Sequence, residues 1–168
     1  MDFVIEQLSQ NKVLFHNILK DCDEKMFLWK QSSEKWCLLE IVCHLYDEER
    51  DDFRFRTQWV LEKPNETPPP FDPINWVTEH RYIEQDYAEI LDKFMDERQH
   101  SIDWLKTLEN PKWDNAYEHT KMGTITAEYF FNNWLAHDYL HLRQILKLKF
   151  DYLKQRFGGN LNYAGAWN

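Results

Sequence analysis

The sequence of 168 residues lacks several features on which other protein classes depend. It has only 4 glycines and few β-branched runs, which argues against a sheet protein and favours long helices. Its 3 cysteines (Cys22, Cys37 and Cys43) include no CxxC pair, and this usage is typical of a reduced, cytoplasmic protein. It contains no P-loop, no GxGxxG motif and no Ser/His/Asp order. We therefore expect neither a nucleotide site nor a serine-hydrolase site.

Acidic residues outnumber basic ones, 29 to 20. The formal net charge is −9, and the lysines and arginines form no basic stripe, so we expect no nucleic-acid partner and no anionic membrane surface. No apolar run approaches the roughly 20 residues of a membrane-spanning helix. The first residues, Met1 to Glu6, lack the basic region and apolar core of a signal peptide.

Aromatic residues, in contrast, are abundant: 8 Trp, 8 Tyr and 11 Phe. They can fill a sizeable core, and they are compatible with a homodimer face. We predict one domain over residues 1–168 with four long helices. Their predicted limits are about Asp2–Cys22, Cys37–Glu62, Asn75–Leu108 and Thr124–Phe157.

Between the second and third predicted helices, residues 63–75 hold most of the chain's 6 prolines. Such a segment runs extended, and about 13 residues at ~3.1 Å each reach on the order of 40 Å. That is about the length of the second helix, so the segment can cross the bundle and start the third helix parallel to the second. A loose excursion at one end is equally allowed. We further predict an irregular loop over 112–123 and a tail, 158–168, that docks on the bundle.

Histidines interrupt two of the predicted apolar stripes. On the fourth helix, His137 and His141 lie one turn apart among Phe130, Trp134, Ile145 and Leu148. On the second helix, the stripe reads Cys37, Ile41, His44, Glu48, Phe55 and Trp59. A buried imidazole is often a hydrogen-bonded core residue, but three of them would each need a partner. One divalent ion satisfies all three, and three protein ligands leave a position open for water or substrate.

Glu48 follows His44 by one turn, and four roles are open for it: a general base, an acceptor that orients an imidazole, a fourth ligand, or a surface carboxylate. Asp138 points about 100° away from His137, so we assign it a structural or surface role. Cys37 is about 10 Å from His44 along the helix, too far to share an ion. We interpret Tyr87 and Trp134 as core residues and His16 as a surface residue. His80 and His119 stay unassigned.

Two segments also carry a family resemblance. The run Lys35 to Leu45, with Trp36 eight residues before His44, and the pair His137-x3-His141 followed by Arg143-Gln144-Ile145 resemble the DinB/YfiT-like superfamily of bacterial four-helix-bundle metalloproteins. The resemblance implies an all-α bundle of up-down-down-up topology, and His44, His137 and His141 match the metal-ligand triad.

The resemblance further implies one nickel, zinc, manganese or iron ion. Characterised relatives look like S-transferases that use a low-molecular-weight thiol and an electrophile, and relatives are often dimers. A metal-dependent thiol transferase is therefore our functional interpretation. A metal-dependent hydrolase and a non-catalytic, stress-associated bundle with a structural metal are the alternatives.

Overall fold

Helices dominate the computed structural model, which describes residues 1–158, 160–165 and 167. The helices are α1 (Asp2–Leu19), α2 (Glu24–Phe27), α3 (Leu38–Asp47), α4 (Phe55–Glu62), α5 (Pro73–Glu79), α6 (Tyr87–Thr107) and α7 (Ala127–Phe157). A π-helical segment, Glu48–Arg54, joins α3 to α4 without a break, and short 3-10 turns occupy Tyr82–Glu84 and Asn162–Ala164. A hairpin of β1 (Ala116–His119) and β2 (Gly123–Thr126) precedes α7.

The four long helices form a bundle in which the directions are up, down, down, up. Helix α1 runs parallel to α7 and antiparallel to α6, while the α3–α4 helix runs parallel to α6 and antiparallel to α7. Pairs of contacting residues show these directions. The pairs are Gln7–Tyr139 and Ile18–Lys149 for α1 and α7, Lys12–Gln99 and Leu19–Tyr87 for α1 and α6, Glu49–Arg98 and Arg54–Ser101 for the α3–α4 helix and α6, and His44–His141 and Glu49–Trp134 for the α3–α4 helix and α7. The proline-rich segment therefore crosses between parallel neighbours, as its length allowed.

The π-helical segment shifts the buried face of the second long helix. Before it, Ile41, His44 and Glu48 are buried at α-helical spacing. A π turn takes in an extra residue, so the buried apolar positions continue at Phe53, inside the segment, and at Val60, after it. The prediction that Phe55 and Trp59 continue the stripe is therefore wrong; Phe55 is exposed and Trp59 half-buried.

The third predicted helix is not continuous. It is broken between α5 and α6, where Arg81 adopts a left-handed backbone (φ 48°). Asp86 then accepts a hydrogen bond from the Glu89 N–H and so caps the start of α6. Tyr87, Ile90 and Phe94 are buried as predicted, but Ile83, in the broken stretch, is exposed.

Smaller differences occur at the other element ends. Helix α1 ends at Leu19 rather than near Cys22, α3 begins after Cys37, and α5 starts at Pro73, inside the predicted linker. The loop predicted over 112–123 contains β1. Helix α7 begins at Ala127 because the Thr126 hydroxyl accepts from the Tyr129 N–H.

The chain after α7 turns back toward the bundle. Gly158 ends α7 in a left-handed conformation (φ 58°), as glycine allows. Trp167 contacts the Phe150 ring at 5.3 Å, while Tyr163 is fully exposed, so the predicted docking of the tail holds for Trp167 but not for Tyr163. Gly159, part of the predicted helix stop, lies outside the described residues. In the described part of the chain, no helix combines the length and apolarity needed to cross a membrane.

Candidate metal centre

The bundle brings the three histidines of the two predicted stripes together. His44 projects from α3, and His137 and His141 project from one face of α7. One ring nitrogen from each lies within 4.8 Å of the others, and the two Nε2 atoms of His137 and His141 are 3.0 Å apart. The His44 ring centroid lies 4.9 Å from that of His141 and 5.4 Å from that of His137. The three side chains thus converge on one point between two helices.

Burial keeps these imidazoles neutral. It lowers the pKa of His44 to about 3 and that of His137 to about 2, and it also lowers the pKa of His141. The neighbouring imidazoles and Arg98 further lower the pKa of His137. A neutral imidazole carries a lone pair on one ring nitrogen, which is the form that binds a metal ion.

Two of the buried ring nitrogens have no hydrogen-bond partner. They are Nδ1 of His44 and Nδ1 of His141. When Nδ1 carries the ring proton, Nε2 carries the lone pair, and the Nε2 atoms of His137 and His141 lie 3.0 Å apart. Three neutral imidazoles suit a divalent transition ion such as nickel, zinc or iron. The cluster therefore fits one such ion.

Glu48 is buried rather than a surface carboxylate, so that alternative is wrong. Its Oε1 atom lies 3.8 Å from Nδ1 of His44, beyond hydrogen-bond distance. Burial, followed by the nearby Asp52 carboxylate, raises the pKa of Glu48 to about 9, so the carboxyl is protonated at neutral pH. At this position beside Nδ1, Glu48 can orient the His44 imidazole when Nδ1 carries the ring proton.

A cavity of about 350 Å³ opens onto the histidine cluster at His44. Trp36 forms one wall, with its ring centroid 4.9 Å from that of His44. Helix α5 forms the other wall through Pro73, Ile74 and Val77. The approach to the cluster is therefore mainly apolar, and no carboxylate of the described residues lines it.

Behind the cluster lies a buried network of charges. The Arg98 guanidinium donates two hydrogen bonds of 2.7 Å to the Asp138 carboxylate and pairs with Glu49 at 2.8 Å. Asn11 donates to Asp138 (3.0 Å), and the Trp134 indole N–H donates to Glu49 (2.8 Å). The network joins all four long helices, so it fixes the rotation of α7 next to His137.

The network corrects one assignment and adds one residue. Asp138 is fully buried and structural, so a surface role for it is wrong. Arg98 was not among the residues predicted from the sequence. A signal existed, because Arg98 continues the α6 stripe of Ile90 and Phe94 at a spacing of four, a position where an arginine needs a buried partner.

The other candidate residues lie away from the cluster. His80 and Tyr82 both hydrogen-bond the buried Asp47 carboxylate at 2.7 Å, which anchors the end of α5. His119 lies in the hairpin. Cys37 and Cys43 are free, buried thiols, and burial raises their pKa values to about 11 and about 12, so they are not reactive thiolates.

We expect the metal-free protein to lose stability in mild acid because of these imidazoles. Below pH 6.5 the unfolded chain binds protons at positions where the folded chain does not, so the free energy of unfolding falls as pH falls. His44 and His137 each contribute a loss of about 2 kcal/mol between pH 6.5 and 5. Glu48 acts in the opposite direction over this range, because its raised pKa makes the folded chain hold a proton.

The test therefore compares the pH dependence of the free energy of unfolding in two metal-free proteins. Urea unfolding from pH 5 to 7.5 should show a shallower pH dependence for His137→Gln than for wild type, by about 2 kcal/mol over the acid part of the range. Parallel curves would mean that His137 is protonated alike in the folded and unfolded chains.

Comparison with known proteins gives a matching sequence family and similar solved structures. The model of the DinB superfamily matches residues 7–145. No curated protein sequence matches. YfiT from Bacillus subtilis, described as a probable metal-dependent hydrolase with an unusual four-helix bundle topology, superposes with a TM-score of 0.77 at 18% identity, covering 95% of this chain and 88% of that chain. That likeness establishes the shared fold. Because the family model spans most of the sequence, the chain belongs to the DinB superfamily.

Proposed function

We propose that His44, His137 and His141 hold one divalent transition ion, and that the protein uses it to transfer a low-molecular-weight thiol to an electrophile. The observation that carries the proposal is the convergence of three imidazoles, of which His44 is buried and His137 half-buried, with one side open to a cavity. Three protein ligands leave room for a further ligand, which is the arrangement of catalytic rather than structural sites.

When bound, such an ion lowers the pKa of a coordinating thiol and so supplies a thiolate at neutral pH. The protein's own groups hold the ion and shape the approach to it. The three imidazoles hold the ion, and Glu48 lies where it can orient the His44 ring. Trp36 and Ile74 give the approach apolar walls.

The proposed reaction balances without an added oxidant or reductant. The thiol proton is released to solvent. The sulfur forms a bond to the electrophilic carbon while the bond from that carbon to its leaving group breaks, and the leaving group keeps the electron pair. With an epoxide or an activated alkene, the product instead takes up one proton from solvent.

The placement of Glu48 favours a thiol over water as the nucleophile. A metal-bound water benefits from a base at the open side of the ion, whereas a thiol ionises readily on coordination alone. Glu48 lies beside Nδ1 of His44 and does not line the opening. The approach is apolar, which suits an organic electrophile.

A metal-dependent hydrolase is the second candidate. YfiT, similar in fold, is described as a probable hydrolase of this kind. The same three imidazoles can serve a metal-bound water, whose pKa falls to about 7 at such sites. This candidate expects ester or amide turnover with no thiol present.

A screen of thiols against electrophiles with metal-loaded protein separates these candidates. We expect product only when thiol, electrophile and metal are all present, and loss of at least about 100-fold of the rate in His137→Ala. His100→Ala, which changes an exposed histidine of α6, is the matched control and should retain full activity.

Other outcomes of the screen contradict the thiol proposal. Turnover of esters or amides without thiol would favour the hydrolase. An absence of turnover across the panel, with His137→Ala lowering only the melting temperature, would favour a structural metal in a non-catalytic bundle.

A further inference from the structure

A second cavity, larger than the one at His44, adjoins Phe53. It measures about 560 Å³ and is lined by the π-helical segment, α4, the proline-rich segment, the hairpin and the first turns of α7. This volume is in the range of pockets that bind small organic molecules. None of the three clustered histidines lines it.

Its walls are built mainly from rings. Five aromatic side chains contribute: Phe53, Phe71, Tyr117, Tyr129 and Phe130. The Tyr117 and Phe130 rings are parallel to within 1°, with their centroids 6.4 Å apart. Pro68, Pro69 and Pro70 complete one side. Aromatic walls of this kind favour a planar, largely apolar molecule through stacked or edge contacts.

The charge in the cavity is already balanced. Arg56 is the cation of its wall, and its Nε atom lies 2.5 Å from the Asp52 carboxylate, which also lines the cavity. Its Nη2 atom donates to the Pro69 carbonyl (3.0 Å), and its guanidinium stacks on Phe71 at 4.0 Å. The remaining polar wall groups are chiefly neutral hydroxyls and amides, such as those of Tyr117 and Asn133. In a chain of net charge −9, this wall does not attract an anion.

The cavity is held in shape without a ligand. The Asn115 side chain donates to the Leu61 carbonyl (2.8 Å), and the Asn65 N–H donates to the Ala116 carbonyl (2.8 Å), so the hairpin is tied to both α4 and the proline-rich segment. Prolines restrict the backbone of that segment. A preformed cavity binds with a smaller loss of conformational entropy than one that must form.

The cavity also adjoins the proposed metal centre. The Phe53 ring lines it and at the same time contacts the His137 ring at a centroid distance of 4.9 Å. Asn133, which lines it from α7, lies one turn before His137. A molecule in this cavity is therefore separated from the histidine cluster by a single side chain.

We infer that this cavity binds a neutral, planar, largely apolar molecule that carries a hydrogen-bond acceptor. Its acceptor meets the wall hydroxyls, the Asn133 amide or the outer edge of the Arg56 guanidinium. If the proposed thiol transfer is correct, this molecule is the electrophile; that second statement rests on the proposed function, whereas the binding site does not.

Two fluorescent probes of nearly the same aromatic shape test the inference on metal-free protein. The neutral probe is N-phenyl-1-naphthylamine, and the anionic probe is 8-anilinonaphthalene-1-sulfonate. We expect saturable binding of the neutral probe, with one site per chain, and a Kd at least about tenfold higher for the sulfonate, since each 1.4 kcal/mol is tenfold.

Two neighbouring asparagines of α7 supply matched variants. Asn133→Phe fills the cavity and should raise the Kd of the neutral probe at least about tenfold, while Asn132→Phe, at an exposed position outside the cavity, should leave it unchanged. Melting temperatures of both variants within a few degrees of wild type establish that each is folded.

Equal binding of the two probes, equal effects of the two variants, or no saturable binding would each overturn the inference. The outcome is independent of the proposed function. Probe binding that responds to Asn133→Phe, in a protein without thiol-transfer activity, supports the cavity and removes the transferase. Thiol transfer in a protein that binds neither probe supports the transferase and overturns the proposed binding site.

Discussion

Replacing Asp138 by alanine should destabilise the metal-free protein by about 3–5 kcal/mol, the largest stability effect that we expect of a single substitution. The Asp138 carboxylate is fully buried and accepts two hydrogen bonds from Arg98. Its removal leaves the Arg98 guanidinium in the core with Glu49 as its remaining partner. A buried charge that loses its partner retains the cost of leaving water without the compensating attraction.

The measurement is urea unfolding at neutral pH, supported by a melting curve. For a domain of this size, the expected loss corresponds to a fall in Tm of roughly 6–20 °C. Asp151→Ala is the matched control on the same helix, because its pair with Lys147 is partly exposed (side chains 15% and 40%) and should contribute less than about 1 kcal/mol. A loss at Asp138 no larger than that at Asp151 would contradict a structural role for the buried network.

Replacing any one of the three clustered histidines by alanine should weaken metal binding by more than roughly 100-fold. Each supplies one of three converging ring nitrogens, and no carboxylate or thiol of the described residues belongs to the cluster to replace it. Substituting His44 or His141 also removes a buried nitrogen without a hydrogen-bond partner, so these variants should fold without metal.

Thermal shift with added nickel or zinc gives a direct readout. A ligand at 100 times its Kd stabilises the folded state by about 2.7 kcal/mol, so wild type should melt several degrees higher with metal. The alanine variants at the cluster should show no such shift, and His100→Ala should behave as wild type. A full shift in His141→Ala would place the bound metal elsewhere.

The inward direction of each of the three histidines was predictable from sequence because it depends on helical spacing. His137 and His141 are four apart, and His44 lies on the same stripe as Ile41, so each was expected to face the core. That the three faces meet depends on helix order. The length of residues 63–75 permitted that order, and the family resemblance implied it.

The surroundings of the cluster were harder to predict. The π-helical segment falls in an acidic run whose residues give no local sign of an extra residue per turn, so the burial of Phe53 in place of Phe55 was missed. The break before α6 requires a left-handed Arg81, which a non-glycine residue adopts only under tertiary constraint. Here the ends of that break are held by the bonds of His80 and Tyr82 to Asp47.

The sequence left open whether Asp138 is structural or lies at the surface, and this had a different reason. A single inward stripe was assumed for the fourth helix, whereas α7 contacts both α1 and the α3–α4 helix and is buried on two sides. A central helix of a bundle has a wider buried face than a 3.6-residue stripe predicts. Charged residues on that wider face therefore need partners, and Arg98 supplies one.

Metal analysis of the full chain, purified without a histidine tag, is the most direct test of the central claim. Wild type, as purified or after reconstitution with nickel, zinc, manganese or iron, should contain about one ion per chain, and His137→Ala should contain almost none. Wild-type protein that takes up no ion under any of these conditions, or His137→Ala protein that takes up as much as wild type, would contradict the three-histidine metal centre.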